Sequence, residues 1–200
     1  MSLTKHNNNS ISNITSFAQI PAGKPVLLSE ATASSSSSIE FTSGIDSTYD
    51  IYQFEFVNIH PQTDFVGFGF NLSTDNGSNY NVTKTTTMFT AGHFESDAAS
   101  GLIYESSYDL AQSTSDQRLY IDLGNGSDES YSGYLHIFNP SSTTYVKHFI
   151  ANGNGYSEND KTANAFVAGY ANTTSALTNI KFQMSSGNID DGKILMFGIN

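Results

Sequence analysis

The chain has 200 residues, with 8 Lys and Arg against 19 Asp and Glu, which gives a formal net charge of -11 at pH 7. This charge excludes a protein that binds nucleic acid by neutralising phosphates, and it disfavours binding to an anionic membrane surface. Because there is no Cys, neither a disulfide framework nor a thiolate metal site is available.

The remaining composition describes a polar, aromatic chain. Ser, Thr and Asn fill 67 of the 200 positions, and 14 Phe and 11 Tyr provide enough rings for a core. No segment approaches the roughly 18 apolar residues of a membrane helix, so we expect no membrane insertion. The first ten residues lack the apolar stretch of a secretory signal, so we expect no cleaved leader.

Residues 1–38 are predicted to form an extended N-terminal arm that anchors the protein. Within it, the sequence PVLLS at residues 25–29 follows a Pro- and Gly-containing turn and predicts one strand. The serine run at residues 34–38 is compatible with a flexible linker or with an extended connection. The residues assigned to anchoring are Pro21, Pro25, Val26, Leu27 and Leu28.

From Ile39 onward, short β-branched and aromatic segments alternate with Gly, Asn, Asp and Ser clusters, which is typical of β-strands and turns. In IYQFEFVNI at residues 51–59, Tyr52, Phe54 and Phe56 fall on one face, as in a half-buried strand. The next segment repeats this pattern at residues 66–72, with Gly67 and Gly69 on the opposite face. Two glycines on one face indicate close approach by another backbone or side chain.

The following residues predict further turns and strands. Asp75-Asn76-Gly77 predicts a hairpin turn, followed by a long strand over residues 82–94, and residues 106–113 are the one segment compatible with a short helix. The later strands are predicted at 102–105, 119–123, 134–138, 145–151, 165–170, 180–184 and 193–199. The last is apolar on both faces, so it should lie inside a sheet or be covered by another subunit.

About ten predicted strands indicate an all-β fold, an antiparallel β-sandwich of jelly-roll-like type over residues 39–200.

Two histidines of this domain form a candidate pair, because His136 and His148 flank the turn NPSSTT and their strands should form a hairpin. If their rings face each other across the ladder, they could stack or bind a metal. A structural role is favoured, because a zinc site needs at least a third ligand.

The carboxylates suggest a second kind of site. Asn125, Asp128 and Glu129 lie in the loop GNGSDE, and calcium prefers such oxygen ligands. The spacing differs from an EF-hand loop, so ordinary turn chemistry is the favoured interpretation and no cofactor is expected.

A glycosidase would need two acids in an aromatic cleft, and the chain has acids and tyrosines but no Trp. No G-x-S-x-G motif points to a nucleophile, so no catalytic residue is assigned.

Three segments carry a resemblance to a known family: FTSGIDSTYDIYQFEFVNIHP, LHIFNPSSTTYVKHFIA and AGYANTTSALTNIKFQMSSGNIDDGKILMFGI. Over residues 38–199 the chain resembles small, Ser/Thr/Asn-rich virion structural proteins of marine cyanophage-type tailed bacteriophages, similar to tail-fibre or head-fibre proteins. The resemblance implies a virion component without enzymatic activity. It carries over no catalytic or metal-binding residue.

We therefore expect a virion protein displayed on the particle surface, with host attachment at the tail as its function. The alternatives are a capsid decoration or head-fibre protein, and a polysaccharide-binding or depolymerising domain. Expected partners are two further copies in a homotrimer, a tail adaptor, nozzle or major capsid protein, and a host glycan or protein. Closed cyclic symmetry would cover strands that are apolar on both faces.

Overall fold

The structure is a computed structural model that describes residues 24–200, and these residues form twelve β-strands and no helix. The predicted all-β, antiparallel class is confirmed. The strands are β1 Val26–Thr32, β2 Ile39–Phe41, β3 Ile51–Pro61, β4 Val66–Ser73, β5 Lys84–Phe94, β6 Ser100–Tyr104, β7 Gln117–Leu123, β8 Tyr131–Phe138, β9 Lys147–Ser157, β10 Lys161–Ala171, β11 Asn179–Met184 and β12 Ile189–Ile199.

The strands form two packed faces that are joined at one edge. Eight strands pair in the order β1-β12-β3-β8-β9-β10-β5-β6, and four pair in the order β7-β4-β11-β2. A single antiparallel bridge between Leu123 and Ser157 connects β7 to β9. The result is one nearly closed, barrel-like sheet, a closure that the sequence did not predict.

The core consists mainly of phenylalanine rings contributed from both faces. The ring of Phe182 on β11 lies at its centre. Five other ring centroids lie 5.3 to 6.5 Å from that of Phe182, namely those of Phe41, Phe54, Phe56, Phe68 and Phe70. Because β3 and β11 belong to opposite faces, these contacts hold the two faces together.

The period-2 interpretation of β3 is confirmed, since Tyr52, Phe54 and Phe56 are at most 2 % exposed. The close approach predicted for the two glycines of β4 is also found. A Cβ atom on Gly67 would lie 2.8 Å from Cδ of Arg118, and one on Gly69 would lie 2.6 Å from the Gln117 carbonyl oxygen. Side chains larger than hydrogen at these positions would push β7 away from β4.

Two local predictions are wrong because long-range pairing decides the structure. Residues 75–77 do form a turn, with Asn76 and Gly77 at φ of 57° and 82°. It closes no hairpin, however, because β4 pairs with β7 and β11 while β5 pairs with β6 and β10. Residues 106–113 form turns and bends instead of a helix, since the Leu110 carbonyl accepts a hydrogen bond from the Thr86 amide of β5 at 2.9 Å.

The last strand lies inside the sheet, as its sequence predicts, with β12 between β1 and β3. Its pairing with β1 shows that the sheet begins before the predicted arm boundary at residue 38. Val26, Leu27 and Leu28 belong to this edge strand, Pro25 directly precedes it, and Pro21 lies outside the described residues. An ion pair of 2.8 Å between Lys193 of β12 and Glu30 of β1 links the two strands.

Residues 24–200 contain no helix that is long and apolar enough to cross a membrane.

Candidate functional site

The most distinctive surface of the molecule is the outer side of β8, β9, β10, β5 and β6. One row of directly paired residues crosses all five strands: Tyr134, Asn152, Phe166, Phe89 and Tyr104. The neighbouring rows add His136 opposite Ile150, and His148 opposite Tyr170. We call the surface formed by these nine residues the aromatic face.

The rings of the aromatic face remain open to solvent although they contact one another. Phe89 and Phe166 stack with centroids 4.7 Å apart and planes 11° apart, and each is still about a third exposed. Tyr134 lies 4.8 Å from His136, centroid to centroid. Tyr104 is 61 % exposed. Adjacent to these rings, a shallow depression of about 590 Å³ is lined by His148, Ile150 and Tyr170, among others.

The nine residues of the aromatic face carry no formal charge in a chain with a net charge of -11, although the Tyr104 hydroxyl donates to the Asp109 carboxylate at the edge of the face. On β8, β9, β10 and β5 the outward positions hold aromatic, aliphatic, amide, hydroxyl and imidazole groups and no Asp, Glu, Lys or Arg. The amide of Asn152 is fixed there, because its Nδ2 donates to Asn164 Oδ1 at 3.0 Å and to the Ala165 carbonyl at 3.1 Å. A largely apolar, uncharged and partly pre-organised patch of this kind is a candidate binding surface.

The two histidines predicted from the sequence both lie on the aromatic face, but they do not face each other. Their strands form the predicted hairpin, β8–β9, and its register places His136 opposite Ile150. The Nε2 atom of His136 lies 2.9 Å from Gln53 Oε1. Burial lowers the pKa of His136, and Glu55 opposes this shift. The prediction that the two rings lie directly opposite each other is therefore wrong.

No protein-family model, curated protein or solved structure matches the chain. The chemistry of its surfaces is thus interpreted from the residues themselves.

The residues predicted as a calcium loop mainly fold the loop itself. The carboxylate of Glu129 accepts a hydrogen bond from the Gly126 amide, and the Glu129 amide donates to the Gly126 carbonyl at 3.0 Å. Asn125 donates through Nδ2 to the Gln62 carbonyl at 3.2 Å. These contacts are the turn chemistry that Asn, Gly and acidic residues commonly provide.

Asp128 and Glu129 also line an acidic depression of about 490 Å³, together with His60, Asp190 and Asp191. The His60 ring lies 3.7 Å from the Asp190 carboxylate and 3.1 Å from the Gly126 carbonyl oxygen. Among residues 24–200, no three His, Asp or Glu side chains are arranged to hold a metal ion. The geometry of this loop therefore gives no basis for assigning a calcium ion.

Two buried lysines were not predicted. Lys84 and Lys147 are 0 % exposed, and they pair with Ala171 of β10 from opposite sides, Lys84 from β5 and Lys147 from β9. Lys84 Nζ donates to Asn71 Oδ1 at 2.7 Å and to the Val82 carbonyl at 2.8 Å. Burial lowers its pKa to about 8, with Asp116 opposing the shift. The available signal was position, because each lysine shares the inward side of its strand with buried apolar residues, Met88 on β5 and Phe149 on β9.

Lys147 is held in the same manner, since its Nζ donates to the carbonyls of Tyr145 and Thr173 at 3.1 Å each. Burial lowers its pKa as well. Both amines bind the backbone carbonyls of connecting segments next to the strand ends, so they fasten these segments to the core. Their role is structural.

Proposed function

We propose that the chain is a bacteriophage virion protein, displayed on the particle surface, that attaches to the host cell by binding a surface glycan through the aromatic face. The neutral aromatic face carries this proposal. Its rings are exposed without being needed for the Phe182-centred core, which lies on the other side of the same strands. Contiguous exposed rings of this kind often mark a binding surface.

The chemistry of the face favours a glycan over a charged partner. A sugar ring presents an apolar C–H side that packs on aromatic rings, and Phe89 and Phe166, although stacked on each other, each remain about a third exposed to receive it. The imidazole of His148 and the amide oxygen of Asn152 lie within the same patch and can hydrogen-bond hydroxyl groups. Because the nine residues of the face carry no formal charge, the face itself does not attract a charged partner over long distances.

The particle context of the proposal rests on the resemblance of residues 38–199 to small phage virion proteins and on the acidic charge, which favours solubility of a displayed domain. We place the protein at the tail, where host attachment occurs. Residues before Lys24 are proposed to anchor it to a neighbouring virion protein.

The proposal includes a homotrimer. Among the strands of residues 24–200, β6 pairs only with β5 and ends the eight-stranded face, and all five of its residues are exposed. Leu102, Ile103 and Tyr104 are 71, 57 and 61 % exposed. An edge strand with three consecutive large apolar residues invites pairing with another chain. Neighbouring copies in a closed ring would cover it.

Removing one ring of the aromatic face is expected to weaken glycan binding. We expect the purified full chain to bind immobilised capsular polysaccharide or lipopolysaccharide from marine cyanobacteria in biolayer interferometry. Phe166→Ala and Tyr134→Ala should each weaken this binding about tenfold, which corresponds to about 1.4 kcal/mol. Phe65→Ala is the matched control, because Phe65 is 57 % exposed but lies between β3 and β4, outside the face.

Binding that Phe166→Ala and Tyr134→Ala leave unchanged would rule out the aromatic face as the attachment surface. Failure of the wild-type chain to bind any of these extracts would argue against host attachment through glycans. Circular dichroism of each variant shows whether the fold is retained, so that a loss of binding is assigned to the face.

A further inference from the structure

A cleft of about 510 Å³ lies on the opposite side of β10, β5 and β6 from the aromatic face, where these strands curl over β7. Its volume is in the range of pockets that hold small ligands. Apolar side chains form much of its wall, among them Phe94, Ile103 and Ile121, and Tyr108 and Tyr120 add two further aromatic rings. The cleft thus has the apolar lining of a binding site and is separate from the proposed attachment surface.

Four polar groups converge in this cleft. Thr90 Oγ1 donates to Glu105 Oε1 at 2.6 Å, which fixes the orientation of that carboxylate. Asp122 and Lys161 face the same space from β7 and from the start of β10. The Lys161 amine lies 5.7 Å from the centroid of the Phe94 ring, so its position is also constrained. Two acceptors and one cationic donor therefore share one apolar pocket.

The backbone at Asp122 is in an unusual conformation for a strand residue. Its φ is 59°, in the left-handed region that non-glycine residues rarely adopt. Strain of this kind often accompanies functional sites. Burial raises the pKa of Asp122, with Lys161 lowering it and Glu105 raising it further. A perturbed carboxylate on a strained backbone inside a cleft is typical of a ligand-binding group.

The arrangement of charges selects the type of ligand. An anion would meet two carboxylates, and a cation would meet the Lys161 amine beside an apolar wall. A neutral ring with several hydroxyl groups avoids both conflicts, because its hydroxyls donate to Glu105 and Asp122 and accept from Lys161. Its C–H side would pack on the apolar wall.

We propose that this cleft binds one neutral sugar residue, with Glu105, Asp122 and Lys161 as its hydrogen-bonding groups. The site would be a second carbohydrate site, independent of the aromatic face and distinct from host attachment through it. The cleft would bind its sugar whether or not a polysaccharide is bound on the aromatic face.

The test is a titration of the ¹⁵N-labelled full chain with methyl glycosides of glucose, galactose, mannose and N-acetylglucosamine, followed by amide chemical shifts. We expect at least one glycoside to cause saturable shifts at Gly101, Ile121 and Asp122. Acetate and methylammonium ions serve as charged probes and should cause no saturable shifts there. Saturation by either ion, or no shift with any glycoside, would overturn the proposal.

Two substitutions test the named groups. Asp122→Asn should weaken glycoside binding at least about fivefold. Asn tolerates the left-handed backbone, so the fold should be retained. Asp97→Asn is the matched control, because Asp97 also has a left-handed φ, 57°, but lies in the exposed turn between β5 and β6, outside the cleft. Glu105→Gln, which keeps an oxygen for Thr90, should weaken binding similarly.

Undiminished binding by both Asp122→Asn and Glu105→Gln would contradict the assignment of these carboxylates. Phe166→Ala separates the two carbohydrate sites: it should leave the cleft shifts unchanged while weakening binding to immobilised polysaccharide. If Phe166→Ala abolished the cleft shifts instead, the glycoside would be binding on the aromatic face and the second site would be wrong.

Discussion

Replacing Phe182 with alanine is expected to lower the free energy of unfolding by about 3–5 kcal/mol. Its side chain is completely buried, and five phenylalanine rings surround it, from β2, β3 and β4. The loss combines the transfer free energy of the ring with the cost of the cavity that it leaves. Because those rings come from both packed faces, the cavity cannot close without moving one face relative to the other.

Urea denaturation followed by far-ultraviolet circular dichroism measures this loss. Phe65→Ala is again the control, since the ring of Phe65 is 57 % exposed and surface truncations change stability by about 0.5 kcal/mol or less. A Phe182→Ala variant that is destabilised no more than Phe65→Ala would mean that the centre of the core is elsewhere. Because a loss this large approaches the whole stability of many domains, Phe182→Leu offers a milder variant that should fold.

The second large effect is a pH dependence caused by Lys84. Its pKa is about 8 in the folded chain and 10.5 without the shift. Between these values the unfolded chain binds more protons than the folded chain, so the free energy of unfolding rises with pH from about 8 upward. Below pH 8 the amine is protonated in both states, so the pH dependence disappears while the cost of burying the charge is at its largest. Between pH 7 and pH 10 the gain in stability amounts to about 2 kcal/mol.

The measurement compares urea denaturation of the wild-type chain and Lys84→Met from pH 7 to pH 10. The stability difference should shift in favour of the wild type by about 2 kcal/mol as the pH rises. Lys24→Met, at an exposed lysine, should follow the wild-type profile. The range stops at pH 10 because burial raises the pKa of Tyr120 and Tyr131, so the folded state resists their ionisation at higher pH.

A stability difference between wild type and Lys84→Met that stays constant from pH 7 to pH 10 would contradict the lowered pKa. A direct titration of the Lys84 Cε resonance by NMR in the wild-type chain tests the same pKa without any substitution. Its midpoint is expected near pH 8.

The sequence predicted those parts of the fold that depend on local alternation. The pattern of Tyr52, Phe54 and Phe56 correctly identified the buried side of β3, and the glycine pair of β4 correctly indicated close packing. Both signals are local, because residues two apart lie on the same side of a strand whatever its partners are.

Features that depend on pairing between distant strands could not be predicted in this way. The turn at residues 75–77 looks like a hairpin turn, but β4 and β5 pair with different neighbours. The relation of His136 to His148 depends on the register of β8 and β9, which the turn composition does not determine. The bridge between Leu123 of β7 and Ser157 of β9 nearly closes the sheet, and no local sequence pattern indicates that these two strands pair.

The candidate sites were predicted only in part. His136 and His148 were singled out, and both lie on the aromatic face. The face as a whole was missed, because its rings come from five strands and become neighbours only through the register. Glu105 and Asp122 were missed for the same reason, since the cleft brings together the end of β6 and the end of β7.

The most direct test of the central claim is a cryo-electron microscopy reconstruction of the particle that carries this protein. We expect three copies around a three-fold axis at the tail, with the β6 edge, including Tyr104, covered by neighbouring copies. Residues before Lys24 should contact an adaptor or nozzle protein, and the residues of the aromatic face on β8, β9, β10 and β5 should be open to solvent. Density on the capsid would instead support a decoration or head-fibre protein. An aromatic face buried against another virion protein would contradict host attachment through it.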